Sequence, residues 1–394
     1  MSSRNSKRAS TEDVPLVTIA REWTRLGCVG FGGPPTHIAL LRKMCVEERH
    51  WLGPEEFEDG IAATNLLPGP ASTQLAIFCA WRLRGTVGAI LGGVCFIVPG
   101  LVLILALSVL FLAHHPDEWV LGLAAGAGAA VPAVALNAAW TLVPSSRARA
   151  GSESFAKVRW LVYALIGGTA AATVGPYLVI VLLACGLVEI AVRQRGQRTP
   201  GRSTGAIFPG VVAHVGAFGG VGALTWVALK VGALSYGGGF VIVPLMQHDA
   251  VSTYHWMTAS QFLNAVALGQ ITPGPVVQTV AVIGYAAAGL GGGLLAALIA
   301  FGPSFLFVLV GGSRFDKIRA NASMHSFLTG AGPTVIGAIA GSSIPLGLSF
   351  QYLWQIPILA GAAIWIFVLR RGVVSGLLLA GAVGLILSFT GIRV

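Results

Sequence analysis

Two short helix-breaking patterns recur in this 394-residue chain. One is a glycine run, Gly32-Gly33-Pro34 and later Tyr236-Gly237-Gly238-Gly239; the other is Pro68-Gly69-Pro70, matched by Pro273-Gly274-Pro275. Proline removes a backbone donor and clashes with the preceding turn, yet its fixed φ suits the start of a new helix. Pro34, Pro70 and Pro275 are therefore expected to begin half-helices. A half-helix that begins inside a membrane turns free N–H groups and the positive end of its dipole into the gap, where an anion can bind. Four such ends can surround one oxyanion.

The polar residues beside the breaks suit the same chemistry: Asn65, Ser72, Thr73 and Gln74 in the first half, Gln270, Thr272, Gln278 and Thr279 in the second. Their hydroxyls and amides can donate hydrogen bonds to tetrahedral oxygens. The competing reading is structural, with kinked helices whose freed backbone groups are satisfied by these same side chains.

Arg25 and Lys230 each precede a glycine run by about seven residues. An ionisable group in a membrane costs at least ~2.5–3.5 kcal/mol and usually faces a cavity or a partner. Substrate contact and snorkelling to the interface are both open for this pair, and Glu22 can neutralise Arg25. His37 has no second-half counterpart, since Ile242 occupies its place; it is a candidate proton carrier or a packed histidine. Asp59, like Glu22, is a candidate for proton coupling, against the plainer reading of a solvated acid at a helix start.

These residues need a membrane scaffold. The chain is 55% hydrophobic and 10% charged, against roughly 25% charged in soluble domains. Charge-free stretches such as Gly85–Pro116, Trp119–Ser146 and Val251–Ser313 meet or exceed the ~20 residues of a spanning helix. The expected fold is an all-α polytopic membrane protein with broken helices and about twelve or thirteen membrane segments. The polar start, MSSRNSKRASTEDV, does not read as a secretory signal. The net charge of +10 comes from short basic clusters between apolar spans, as in cytoplasmic loops, so nucleic acid is not the expected partner; membrane lipid is. Five scattered cysteines make neither a disulfide framework nor a thiolate metal site, and no cofactor is expected. No H-E-x-x-H or G-x-S-x-G cluster supports an intramembrane enzyme.

The chain is internally duplicated. Shifting it by 205 residues aligns the break motifs, His50-Trp51 with His255-Trp256 and Phe57 with Phe262; thirteen of the fifty positions from Gly27 to Ala76 are identical without a gap. Equivalent loops alternate in Lys and Arg. Arg82 and Arg84 face a neutral Ala286–Leu290, a neutral His114–Glu118 faces Arg314, Lys317 and Arg319, and two further loops continue the alternation. Basic loops stay cytoplasmic, so the two repeats are expected to have inverted topology, with Ser203–Leu229 supplying one extra crossing. The expected division is a polar N-terminus at 1–13, a first repeat at 14–192, a basic linker at 193–204 and a second repeat at 205–394. Arg42–Asp59 would then lie outside, where Arg42, Lys43 and Arg49 beside six acidic residues fit poorly.

With FGGPPTHIALL, W51-LGPEEF and NLLPGPASTQLA repeated as SYGGGFVIVPL, W256-MTASQF and GQITPGP, the chain resembles the long-chain, two-domain members of the chromate ion transporter family. The resemblance covers nearly the whole chain. It implies a bacterial inner-membrane protein that expels chromate and confers resistance, with sulfate as structural mimic and competitor, and two domains of opposite orientation. Gly32, Gly33, Pro34, Pro68, Gly69, Pro70 and Gln74 carry over directly, whereas Pro35 and Thr36 depart from the small residue expected there. Transport of sulfate or another tetrahedral oxyanion, and a passive anion channel, are the alternatives; a homodimer is compatible.

Overall fold

The computed structural model describes residues 14–113, 116–151, 153–173, 178–196, 220–235, 239–311, 321–390 and 392. Among these residues there is no strand. The first half contains α1 (Leu16–Val29), α2 (Pro34–Arg42, continued by a π-helix at Lys43–Glu48), α3 (Pro54–Thr64), α4 (Ala71–Phe111), α5 (Glu118–Ala150), α6 (Ser154–Thr173) and α7 (Leu178–Gly196). The second half contains α8 (Val221–Leu234), α9 (Ile242–Gln247, continued by a π-helix at His248–Thr253), α10 (Ala259–Ile271) and α11 (Thr279–Gly311). It ends with α12 (Ala322–Leu348), α13 (Gln355–Ala363, continued to Val368) and α14 (Val373–Phe389).

Element bounds recur at the 205-residue offset. Leu16–Val29 maps onto Val221–Leu234, and the π-helix Lys43–Glu48 onto His248–Thr253. Left-handed His50 and His255 share a φ of 52°.

Neither break lets a helix run through; each is the tip of a hairpin. Trp23 on α1 stacks on Trp51 at 6.3 Å, and Glu22 pairs with Arg49, so the arms on either side of Gly32-Gly33 fold back together. Glu56 on α3 pairs with Arg82 on α4, closing a second hairpin around Pro68-Gly69-Pro70. Helix α4 itself doubles back at Arg84–Gly85, where Gly85 has φ 57° and ψ −145°. A Cβ at Gly88 would lie 2.4 Å from the Ala80 carbonyl, whereas in a continuous helix these residues are ~12 Å apart. The second half repeats the reversal at Ala288–Gly289, with Gly284 against Gly292.

These contacts locate Arg42–Asp59 within the bundle. Because Glu56 meets Arg82, and Arg84 donates to the Val14 carbonyl at 3.4 Å, that segment lies at the same end as the basic Arg82–Arg84 tip. Its own cations are balanced there by Arg42–Glu58 and Lys43–Glu48 pairs.

The segments counted in the sequence thus resolve into full-length helices and half-length hairpin arms. α4, α5, α11 with its preceding turn, and α12 are long and apolar enough to cross a membrane; Val221–Leu234, Gln355–Val368 and Val373–Phe389 are shorter apolar helices. A 14-residue arm such as α1 reaches only ~21 Å of the ~30 Å hydrocarbon core. Large apolar side chains point outward, Leu298 73% and Phe389 77% exposed among them.

The halves exchange partners. α6 and α7 of the first half pack on α12 of the second, and α13 and α14 of the second pack on α5 of the first. Small residues allow this approach: a Cβ at Gly337 would sit 1.8 Å from the Ala164 carbonyl, and one at Gly384 2.1 Å from the Gly122 carbonyl. α4 meets α11, and α5 meets α12, across the middle. α7 runs to Gly196, into the expected linker. Residues 1–13, the rest of that linker and most of Ser203–Leu229 lie outside the described residues.

Candidate functional site

The two PGP tips are held across the boundary between the halves. Gly69 has φ 119° and Gly274 φ 99°, a left-handed backbone that glycine adopts without strain. Pro34 is the first residue of α2 as expected, whereas Pro70 and Pro275 occupy the cap position one residue before their helices. No side chain caps α2 or α4.

Each tip then packs on the other half's long helix. Gly274 N–H donates to the Gly30 carbonyl at the end of α1 (2.9 Å), and Gln278 Nε2 donates to the Ile97 carbonyl of α4 (2.8 Å). A Cβ at Gly100 would strike the Pro273 carbonyl at 2.1 Å. Reciprocally, a Cβ at Gly69 would meet Ser304 Oγ of α11 at 3.3 Å, while Gln74 Nε2 donates to the Pro68 carbonyl (2.6 Å). Gly33 and Gly239 both lie against Val276. Gly32 is left-handed too, with φ 96°. Tyr236, Gly237 and Gly238 lie outside the described residues.

His37 ties these parts together. It is 1% exposed, stacks edge-on against Phe96, and its Nε2 lies 2.8 Å from the same Gly30 carbonyl that Gly274 uses. A carbonyl only accepts, so Nε2 carries the proton and a neutral ring takes the Ser72 hydroxyl on Nδ1 at 3.2 Å.

Around the breaks, buried polar atoms lack partners among the described residues. They are Thr73 Oγ1, Gln74 Oε1, Gln270 Nε2, Gln278 Oε1, Ser235 Oγ and Ser304 Oγ. A buried unsatisfied group costs ~1–3 kcal/mol, so water or a polar ligand is the natural occupant. Thr272 and Thr279 differ, because their hydroxyls already bond the Leu268 and Val276 carbonyls at 2.8 Å.

The two expected cations do not stand free. Lys230 Nζ donates to Asp249 Oδ2 at 2.5 Å, joining the arms α8 and α9. Arg25 is 73% exposed and reaches Glu22 at 3.9 Å, while Glu22 is buried and also bonds Arg49. The structure therefore does not bring Arg25 together with the break-point residues. Asp59 is exposed on α3. Among the described residues no cluster of His, Cys, Asp or Glu suits a metal ion.

A cavity of about 110 Å³ opens beside the first PGP tip, lined by Thr64, Asn65, Gly69, Ala71, Ser145, Arg149 and the Gly332 face of α12, with apolar neighbours. A larger one, about 760 Å³, lies away from the breaks at the α5–α6 turn, between Arg147, Lys157 and Trp160. Sequence reasoning missed two groups here. Arg149 belongs, with Arg147, Lys157 and Arg159, to one of the basic loops of the charge alternation, and the sequence gives it no further role. Glu189, 1% exposed on α7, holds Arg159 at 3.1 Å and Arg193 at 2.8 Å. A lone acid at the edge of an apolar run was the available signal for Glu189.

The chain matches the family described as Chromate transporter over residues 17–190 and 222–386. It is 32% identical to the chromate transport protein of Cupriavidus metallidurans over 82% of this chain and 80% of that one. It is 29% identical to a probable chromate transport protein of Synechococcus elongatus, over 84% of each. With the chromate transport protein of Pseudomonas aeruginosa it shares 27% identity over 92% of this chain and 96% of the other. No solved structure matches. The chain belongs to the chromate transporter family and is a multi-pass membrane protein.

Proposed function

We propose that the protein is a secondary transporter that exports chromate across the bacterial plasma membrane and so confers chromate resistance. The observation that carries this reading is the set of unsatisfied buried donors and acceptors at backbone breaks from both halves, in a chain of this family. Substrate oxygens would take bonds from Thr73 Oγ1 and Gln270 Nε2, from the second amide N–H of Gln74 and Gln278, and from the N–H groups that open α4, with Ser72 held for His37. Two inverted repeats support alternating access; the loop charge alternation, the exchanged packing and the position of Arg42–Asp59 at the basic end agree with them.

Energetics permit export. Each charge crossing a negative-inside membrane is worth ~2.3 kcal/mol per 100 mV, so a dianion gains ~4.6 kcal/mol, about a thousandfold gradient. His37 is placed to report protonation to both PGP tips. Lys230 takes part only where Asp249 releases it.

Radiolabelled chromate uptake into inverted vesicles, with the potential clamped and sulfate as competitor, tests the reading. Saturable, potential-driven uptake inhibited by sulfate is expected. Sulfate transport without chromate transport would favour another tetrahedral oxyanion, unsaturable flux a channel, and no flux above empty vesicles would remove the substrate.

A further inference from the structure

Arg149 lies at the end of α5, where sequence reading sees only a cytoplasmic loop charge. Its Nε is buried and has no hydrogen-bond partner, and among the described residues no carboxylate pairs with it. Glu189 is committed to other cations: it holds Arg159 and Arg193, and Arg193 reaches the Ala150 carbonyl at 3.4 Å. A guanidinium is charged at any physiological pH and presents five donors. Arg149 is half-buried, and a guanidinium whose Nε is out of water and unpartnered favours an anion beside it.

The cavity it lines is polar on the side that matters. Asn65 and Ser145 line it, as do Gly69 and Ala71, where the uncapped N-terminus of α4 begins. Thr73, in the same first turn of α4 but outside the cavity lining, is fully buried with Oγ1 unpartnered. At about 110 Å³ the space far exceeds the roughly 10–15 Å³ needed for one water, and accommodates a four-oxygen anion. Opposite the cavity, Gly332 of α12 leaves room: a Cβ there would lie 3.3 Å from Arg149 Nη2.

The site is one-sided. At the 205-residue offset the uncharged Trp354 stands where the first half has Arg149. The basic cluster Arg147, Arg149, Lys157 and Arg159 marks this end as cytoplasmic. We infer that Arg149, with Asn65 and the α4 N-terminus, forms the site at the first PGP tip where a tetrahedral oxyanion arriving from the cytoplasmic end is captured. This rests on the oxyanion-transport reading and names the residue that captures the substrate.

The test is the concentration dependence of chromate uptake into inverted vesicles by the full chain and by Arg149→Gln, Arg149→Lys, Ser145→Asp and Ser145→Asn. Loss of a charge-assisted contact raises KM roughly tenfold or more in Arg149→Gln, with Vmax within about twofold, and lysine recovers most of the loss. Ser145→Asp places a carboxylate in the cavity without touching Arg149 and raises KM well above that of Ser145→Asn, which has the same shape and no charge. Since Ser145 is exposed, this pair decides the matter even where Arg149→Gln fails to accumulate. A wild-type KM in Arg149→Gln, or equal KM values for the two Ser145 variants, overturns the inference. If the unmodified protein moves no oxyanion, the transport reading falls instead; binding of labelled sulfate to purified protein then judges the site alone, and equal affinity in Ser145→Asp and Ser145→Asn rejects it.

Discussion

Lys230 and Asp249 form an ion pair of 2.5 Å that joins the two arms of the hairpin carrying Gly239. The first half has the same brace with the charges exchanged, since Glu22 on its first arm meets Arg49 beyond its second. The aligned cations Arg25 and Lys230 thus do different things.

Lys230→Ala strands Asp249, which is 7% exposed. Breaking a buried pair costs up to about 3 kcal/mol. Thermal unfolding in detergent should show the loss, and Lys230→Ala/Asp249→Ala should recover part of it together with transport. A double variant no better than either single would mean that the pair is not a unit.

His37→Gln keeps a donor for the Gly30 carbonyl but cannot change charge. Uptake measured as a function of pH should keep a substantial rate with a flattened profile. An unaltered profile would make His37 a packing residue. His37→Ala, which leaves Ser72 Oγ without its ring partner, should lose most activity.

Gly69→Ala forces a side chain into φ 119° and within 2.5 Å of Gln74 Nε2. The left-handed backbone alone costs ~1–2 kcal/mol. Transport should drop at least tenfold, and Gly274→Ala, at φ 99°, should behave likewise. Gly302→Ala, with open space around it and no unusual φ, is the control expected to be near neutral. Equal activity in all three would remove the PGP tips from the mechanism.

Gly337→Val should separate α12 from α6, because its Cβ would lie 1.8 Å from the Ala164 carbonyl. Overpacking of this kind costs ~1–3 kcal/mol or more. A lower unfolding temperature is expected, and Gly347→Val, with nothing within 4 Å, should leave it unchanged.

Much of this was legible in the sequence because local chemistry determines it. Low charge and long apolar runs specify membrane helices, and Gly and Pro at Gly33 and Pro68–Pro70 specify where helices stop, whatever surrounds them. The duplication was readable because Trp, Phe and PGP keep one spacing. Only the tertiary structure decided where each broken helix goes next. Whether the chain runs on or doubles back at Gly33, Gly69 and Gly85 depends on what packs beside it. Glu56 on Arg82 and Trp51 on Trp23 settle that, and with it which end of the helix bundle the Arg42–Asp59 segment shares. The sequence likewise could not rank its cations. Arg25, Lys230 and Arg149 are chemically alike as letters, but Glu22 and Asp249 neutralise the first two, and among the described residues no carboxylate pairs with the third. Electrostatic neutralisation is set by distances of a few ångströms, which only the packed chain defines.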